Sequence, residues 1–474
     1  MKLHSHIKLL LVFLFITAST LYAKTDFTND DKAQIIKNLA KAIQDGYVLE
    51  EEGNRFAQEL LNLQETNFFA DSSTKKEFIE TLNKQLYLIS NDKHLKVTPM
   101  GRRPAPRVMR RVTGGNNSPQ EASPRRMVRR PASNDDSNAS GPTMRRVPIS
   151  SDPAELRQTN FGGKGVTAEI LPGNVGLMTV HDLMGSVNGI DEAMAQLANT
   201  DGLIIDVRRC PGGVGFLSDQ LSSYFIPEGE EIMRMHTRGQ DVNISYSVAL
   251  PKGAKRYLDK PFYLVTSGFT GSACEALSFA LKYHNKGVVF GQTTAGAGHA
   301  STNGLTPVGY NLEAFIPNSR PEHPNKKGGF EKKGVTADIE TNATMAQKQA
   351  YQNILLQLID DKKDNSATTK ALLNVSKDIS NSLSEQVYYS RKYEYLEGNY
   401  ENGEQILIER GELTLVTKSG RRFPLRYVEE DTFDVVFTRG GQKLSLDRDS
   451  KGNVIGYRVS PGEGQTEWKV RAKI

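Results

Sequence analysis

Between residues 31 and 89 the apolar positions recur every three or four residues, the period of one face of an α-helix. Ile35, Ile36, Leu39, Ala42 and Ile43 form one stripe, and Phe56, Leu60 and Leu63 a second. Thr74-Lys-Lys-Glu77 reads as a capping box, in which threonine and glutamate each take up an orphan backbone N–H. It opens a third stripe, Phe78, Leu82, Leu86 and Ile89, so a helical bundle is predicted, ending in a short strand over 91–97. From Val175 onward the pattern changes. Largely apolar runs at 175–180, 203–207, 262–266 and 287–291 alternate with helical stretches at 189–197, 216–225 and 273–283. Such runs read as parallel strands buried on both faces, and their alternation with helices predicts an α/β layer structure. Short strands at 310–316 and 335–339, a closing amphipathic helix at 345–359 and a polar linker at 360–369 complete this core. Beyond Tyr393, short strands separated by turns at Gly411, Ser419-Gly420 and Lys451-Gly452 predict a small antiparallel barrel or sandwich. Asp447-Arg-Asp449 lacks the later ligands of a calcium loop and reads as a hairpin turn.

The chain's 474 residues exceed one ordinary domain, and its 38% hydrophobic content suffices for buried cores. The expected organisation is a signal peptide (1–23), a helical domain (24–97), a disordered Arg/Pro-rich insertion (98–152), an α/β core (153–360), a linker or helix (361–390) and a β domain (391–474). The first segment pairs basic Lys2 and Lys8 with an apolar run at 9–16 and Leu21-Tyr-Ala23, so cleavage near Ala23 and export are expected, with no transmembrane span in the mature chain. The net charge of +5 is local: between Arg102 and Arg146 eleven arginines face three acids, and the rest of the chain is slightly acidic. That tract has no aromatic residues and little to bury, hence the expected disorder. Binding of nucleic acid or an anionic envelope polymer through it is open, with a solvated linker as the plainer alternative. Two cysteines, Cys210 and Cys274, exclude a disulfide-built scaffold; two buried thiols are expected, a bridge being the less favoured alternative.

The chemistry gathers at two strand ends. Gly212-Gly213 follows one buried strand, and Thr270-Gly-Ser272-Ala-Cys-Glu275 follows the next. Ligand sites in open α/β sheets form at strand carboxyl ends. Ser272 with Glu275 is itself a capping box, and a serine there need only start a helix. Its place after a glycine at a strand end also makes it a candidate nucleophile, with Ala273 and Gly212 or Gly213 supplying N–H groups for an oxyanion. A serine needs a base, and His94 and His299 are the candidates, the remaining histidines lacking motif context. No metal site, phosphate loop or dinucleotide fingerprint is present, so neither metal nor organic cofactor is expected.

Asp92-Lys-His-Leu95, Glu169-Ile-Leu-Pro-Gly-Asn-Val-Gly176, Leu203-Ile-Ile-Asp-Val-Arg208 with Gly212-Gly213, Thr270 to Glu275, Gly291-Gln-Thr-Thr-Ala-Gly296, and Glu331-Lys-Lys-Gly-Val335 with Asp338-Ile339 occur in the order found in the tail-specific, or C-terminal processing, serine peptidases. Over 30–97 and 160–360 the chain resembles that family, and within it the branch of interphotoreceptor retinoid-binding protein and the tricorn protease core. The resemblance implies a crotonase- or ClpP-like α/β fold and hydrolysis of polypeptide through an acyl-enzyme. It places the nucleophile on Ser272, the base on His94 and an acid on Glu331, with Glu275 a further family carboxylate and His299 the alternative base. Where the other branch carries a lysine, this chain has Ala295, Gly296 and Ala297, which disfavours a Ser-Lys dyad. Arg209-Cys210 departs from the Gly-Asn of many relatives, Gln292 replaces a usual glutamate, and no PDZ pattern is seen. Two other readings stay open: a carrier of a hydrophobic ligand on the same scaffold, and an envelope-tethering protein acting through the arginine tract.

Overall fold

The computed structural model describes residues 27–101, 107–108, 157, 159–460 and 469–472, apart from 285–286, 363, 365, 410, 419–421 and 439–440. The expected signal peptide, and the expected disordered insertion apart from its first residues and 107–108, lie outside the described residues. The chain divides into two compact units, one from residues 1–102, 234–243 and 297–322, the other from 103–233, 244–296 and 323–474.

In the first unit, α1 (Asn29–Gly46), α2 (Glu50–Glu65) and α3 (Lys75–Ser90) bury the three predicted stripes against one another, with Ile35, Leu39, Ile43, Leu60, Phe78 and Leu82 fully enclosed. The predicted capping box is formed: the Thr74 N–H donates to Glu77 Oε2 and the Glu77 N–H to Thr74 Oγ1, both at 3.2 Å. α3 stops at Asn91, whose left-handed backbone (φ 50°) turns the chain into β1 (Lys96–Pro99). β1 pairs antiparallel with Leu312–Phe315, which pairs with Leu305–Gly309, and Val97, Val308, Leu312 and Ala314 line the same core as the helices. The Arg238 guanidinium ties residues 234–243 to this unit by donating to the carbonyls of Gln44 (2.7 Å) and Tyr47 (3.1 Å).

The second unit is built on a six-stranded sheet. Its strands are β2 (Val166–Leu171), β3 (Val175–Val180), β4 (Gly202–Asp206), β5 (Phe262–Thr266), β6 (Val288–Gly291) and β7 (Ile339–Glu340), in spatial order β7-β6-β5-β4-β3-β2. All are parallel except the β2 edge. Side chains alternate across a strand, and the buried residues divide accordingly. Leu203, Ile205, Leu264 and Val289 pack with α4 (Val187–Leu197), α5 (Gly215–Ser222) and α6 (Ala273–Tyr283). Ile204, Val265 and Phe290 pack with α7 (Ala346–Lys362) and α8 (Ala367–Lys392). The expected polar linker is short, because the Ser366 hydroxyl caps α8 by accepting from the Thr369 N–H at 3.2 Å. From Gly398 an eight-stranded antiparallel sheet runs in sequence order and curls on itself, bringing the rings of Tyr457 and Tyr400 to 4.8 Å. The architecture is thus α/β, with an N-terminal helical bundle and a small C-terminal antiparallel β domain.

Candidate active site

β4 and β5 are adjacent and parallel, so the turns leaving their carboxyl ends are neighbours. Three hydrogen bonds tie these turns: Thr270 Oγ1 to the Val207 carbonyl (2.9 Å), Ser267 Oγ to the Arg208 carbonyl (2.7 Å) and the Gly271 N–H to the Cys210 carbonyl (3.0 Å). A covalent tie lies behind them. Cys210 and Cys274 form a disulfide, their Cα atoms 6.2 Å apart. This corrects the expectation of two free thiols: 64 residues separate the pair in sequence, and strand adjacency brings them together.

Ser272 stands between β5 and α6 with φ 50° and ψ −120°. This region is sparsely populated for a residue with a Cβ and costs on the order of 1–3 kcal/mol, so the surrounding turn must enforce it. A nucleophile raised on a strained strand-to-helix turn has this character. Gly212 lies against it, and a Cβ added there would fall 2.6 Å from the Ser272 Cβ, so the close approach excludes any side chain. Gly213 is bracketed by Leu183, whose N–H donates to the Gly212 carbonyl (2.9 Å) and whose carbonyl accepts from Val214 (2.7 Å). The N–H groups of Gly213 and Ala273 donate no hydrogen bond among the described residues. Ala273 is the first residue of α6, where unpaired amides and the helix dipole favour negative charge. The turns therefore hold unspent donors on either side of the serine.

Glu275 is fully buried beneath this serine. Its Oε2 accepts from the Ser272 N–H (2.9 Å), and its Oε1 from the Thr294 hydroxyl and the Gly296 N–H (both 2.6 Å). The carboxylate thus holds the backbone of the turn. The Thr294 hydroxyl in turn accepts from the Val335 N–H (2.7 Å), and the Gly296 carbonyl from the Lys332 N–H (2.9 Å). A continuous hydrogen-bonded path therefore links Ser272 to the turn carrying Glu331. Thr294 belongs to the Gly291–Gly296 motif, but its relay role leaves no spacing signature in the sequence.

The candidate bases lie in the other unit. Asp92, buried, accepts on Oδ1 from the His94 N–H (2.8 Å) and on Oδ2 from the Tyr47 hydroxyl (2.9 Å); Oδ2 also faces His299 Nδ1 at 2.9 Å. Burial alone would raise the Asp92 pKa, but His299, the His94 amide and Tyr47 outweigh it and hold the carboxyl below its ordinary value. His94 Nδ1 is buried without a hydrogen-bond partner among the described residues, its ring 5.5 Å from that of Phe315. Burial lowers its pKa; Asp92 opposes this, while Lys96, His299 and Lys93 add to it. The pairing of Asp92 with His299, 207 residues away, could not be read from the sequence.

Residues 174–341 match the model of peptidase family S41, and residues 29–131 match that of the family's N-terminal domain as found in eukaryotic IRBP. Over these two stretches the chain is similar to peptidase family S41. The first match contains Ser272, Glu275, His299, Glu331 and the paired glycines, and the second contains His94. A probable CtpA-like serine protease of Staphylococcus saprophyticus is 28% identical over 213 residues, covering 43% of this chain and 41% of the relative. One from Staphylococcus aureus is 29% identical over 134 residues, covering 27% and 26%. The chain thus spans well under half the length of these curated relatives. Similar solved structures include a photosystem II D1 C-terminal processing protease (15% identity, TM-score 0.39, 66% of this chain and 94% of that one). Another is a putative peptidase from Parabacteroides merdae (16% identity, TM-score 0.44, 68% and 96%). Among the described residues no helix is long and apolar enough to cross a membrane.

Proposed function

We propose that this chain is an exported serine peptidase that hydrolyses unstructured or carboxyl-terminal polypeptide segments through an acyl-enzyme. The observation that carries the reading is the strained backbone of Ser272 at a helix start, with the Gly212-Gly213 turn against it. In the proposed reaction the Ser272 hydroxyl attacks the scissile carbonyl and gives its proton to the His94 imidazole. The developing oxyanion accepts from the Ala273 N–H and from Gly212 or Gly213. His94 then protonates the leaving amine, and water, deprotonated by the same imidazole, releases the acyl group. Glu331 orients the imidazole, and Glu275 holds the nucleophile turn from below. The Nδ1 of His94, which has no hydrogen-bond partner among the described residues, supports its role, because that ring nitrogen is left uncommitted. One observation favours His299 as an alternative base, the hydrogen bond between its Nδ1–H as donor and the Asp92 carboxylate as acceptor.

Replacing Ser272 by alanine is expected to abolish both cleavage of an unfolded polypeptide and labelling by a fluorophosphonate, with the melting temperature retained. Cleavage that survives in the alanine variant refutes the assignment. A wild-type protein that neither cleaves nor labels returns the scaffold to the carrier reading.

A further inference from the structure

The eight-stranded C-terminal domain touches both turns of the candidate site. Phe269, three residues before Ser272, is half-buried between two aromatic rings of that domain, Phe423 at 5.5 Å and Phe437 at 5.6 Å between centroids. Arg209, three residues before Gly212, donates from Nη2 to the Thr438 carbonyl at 2.8 Å. Its neighbour Arg208 places its guanidinium 6.0 Å from the centroid of the Phe437 ring. Two consecutive residues, Phe437 and Thr438, therefore meet the oxyanion turn and the nucleophile turn together.

Phe437 adopts φ 70°, a left-handed conformation that is unfavourable for a bulky side chain. Such a residue persists when its surroundings over-determine it. Thr438 is fixed on its own side, its hydroxyl donating to the Val435 carbonyl (2.8 Å) and accepting from the Gln442 N–H (3.1 Å). A second attachment lies where the Thr344 hydroxyl meets the Glu412 carboxylate. Arg209 is also one of the positions at which this sequence departs from the pattern it resembles, and its partner lies on the appended domain.

We propose that the C-terminal β domain is a positioning clamp for the oxyanion site, acting through Phe437 and Thr438 on Phe269 and Arg209. The inference rests on the serine-peptidase reading. Donors around an oxyanion act only when held at the place where charge develops, and a misplacement of about 1 Å can cost about 100-fold in rate. A domain that grips both turns three residues from the reacting groups controls that placement without touching substrate.

The test uses the full chain. Phe437→Gly removes the ring and at the same time relieves the positive φ, while Arg209→Ala removes an exposed donor and leaves the cores intact. Each is expected to lower kcat and the second-order rate of fluorophosphonate labelling by about 10-fold or more, with KM within about 3-fold and little change in melting temperature. Phe437→Tyr, which keeps the ring, is expected to restore both rates. Wild-type kcat and labelling rates in both loss variants overturn the clamp while the peptidase reading stands. A wild-type protein that does not label overturns the peptidase reading and the clamp with it.

Discussion

At the scale of single residues, Ser272 combines a demanding backbone with a helix start. Glycine adopts φ 50° without the Cβ penalty, so Ser272→Gly is expected to raise stability by about 1–3 kcal/mol while eliminating cleavage. Urea unfolding of the two proteins checks the first half, and a peptidase assay the second. His94 supplies a second expectation. Burial holds its imidazole below the ordinary histidine value, so the neutral form needed by a general base survives further into acid. The acidic limb of kcat/KM is therefore expected below about pH 6.5, with activity lost as pH falls through the shifted value. His94→Gln is expected to remove the activity that defines this limb. A limb that persists in His94→Gln and disappears in His299→Gln transfers the role to the imidazole paired with Asp92. Both histidines and the serine were legible as types in sequence context. The capping glutamate of Ser272 was legible as well, but the pairing of Asp92 with His299 and of Glu275 with Thr294 was not, because each forms only after distant turns are folded together.

At the scale of elements, the apolar runs foretold β3 to β6 well, because strands covered by helices on both faces are apolar at nearly every position. The strand at Glu231–Thr237 is not legible from the apolar pattern, since His236, Arg234 and Glu231 break it and its partner, Ser319–Glu322, lies some eighty residues further on. Adjacency of β4 and β5 also explains the disulfide that the cysteine count left undecided. Closing a 64-residue loop is worth about 4 kcal/mol in the chain-entropy account. The double variant Cys210→Ala with Cys274→Ala is expected to lose a stability of that order, measured by equilibrium urea unfolding against the unreduced wild type. An unchanged midpoint would remove the bridge from the stability of this core.

At the scale of the whole molecule, Glu412 links the C-terminal sheet to Thr344, ahead of α7. Burial pushes its carboxyl up to about 7, the Thr344 hydrogen bond and the charge of Arg208 opposing the rise. The folded chain thus binds this proton more tightly than the unfolded chain. The contribution is favourable in acid and is lost as pH rises from the ordinary glutamate range through about 7. Glu412→Gln, which cannot ionise, is expected to match wild type near pH 5 and to exceed it at pH 8 by up to about 3 kcal/mol. Thermal unfolding at the two pH values measures the difference, and equal offsets at both would show that Glu412 does not titrate in this range.

The sequence alone determined the local terms: helix stripes and caps, the doubly covered strands, the short-strand C-terminal domain, and a serine and two glycines at the ends of apolar runs. These follow from periodicity and turn chemistry, which act within a few residues. Tertiary structure decided which ends are neighbours, and with that the disulfide, the three-donor seat of Glu275, the pairing of Asp92 with His299 and the grip of the C-terminal sheet on both turns. Apart from the Ser272 N–H on Glu275, three residues away, each joins groups between 19 and 229 residues apart. Strand order and side-chain packing determine such contacts, and neither leaves a signature in the spacing of residues along the chain.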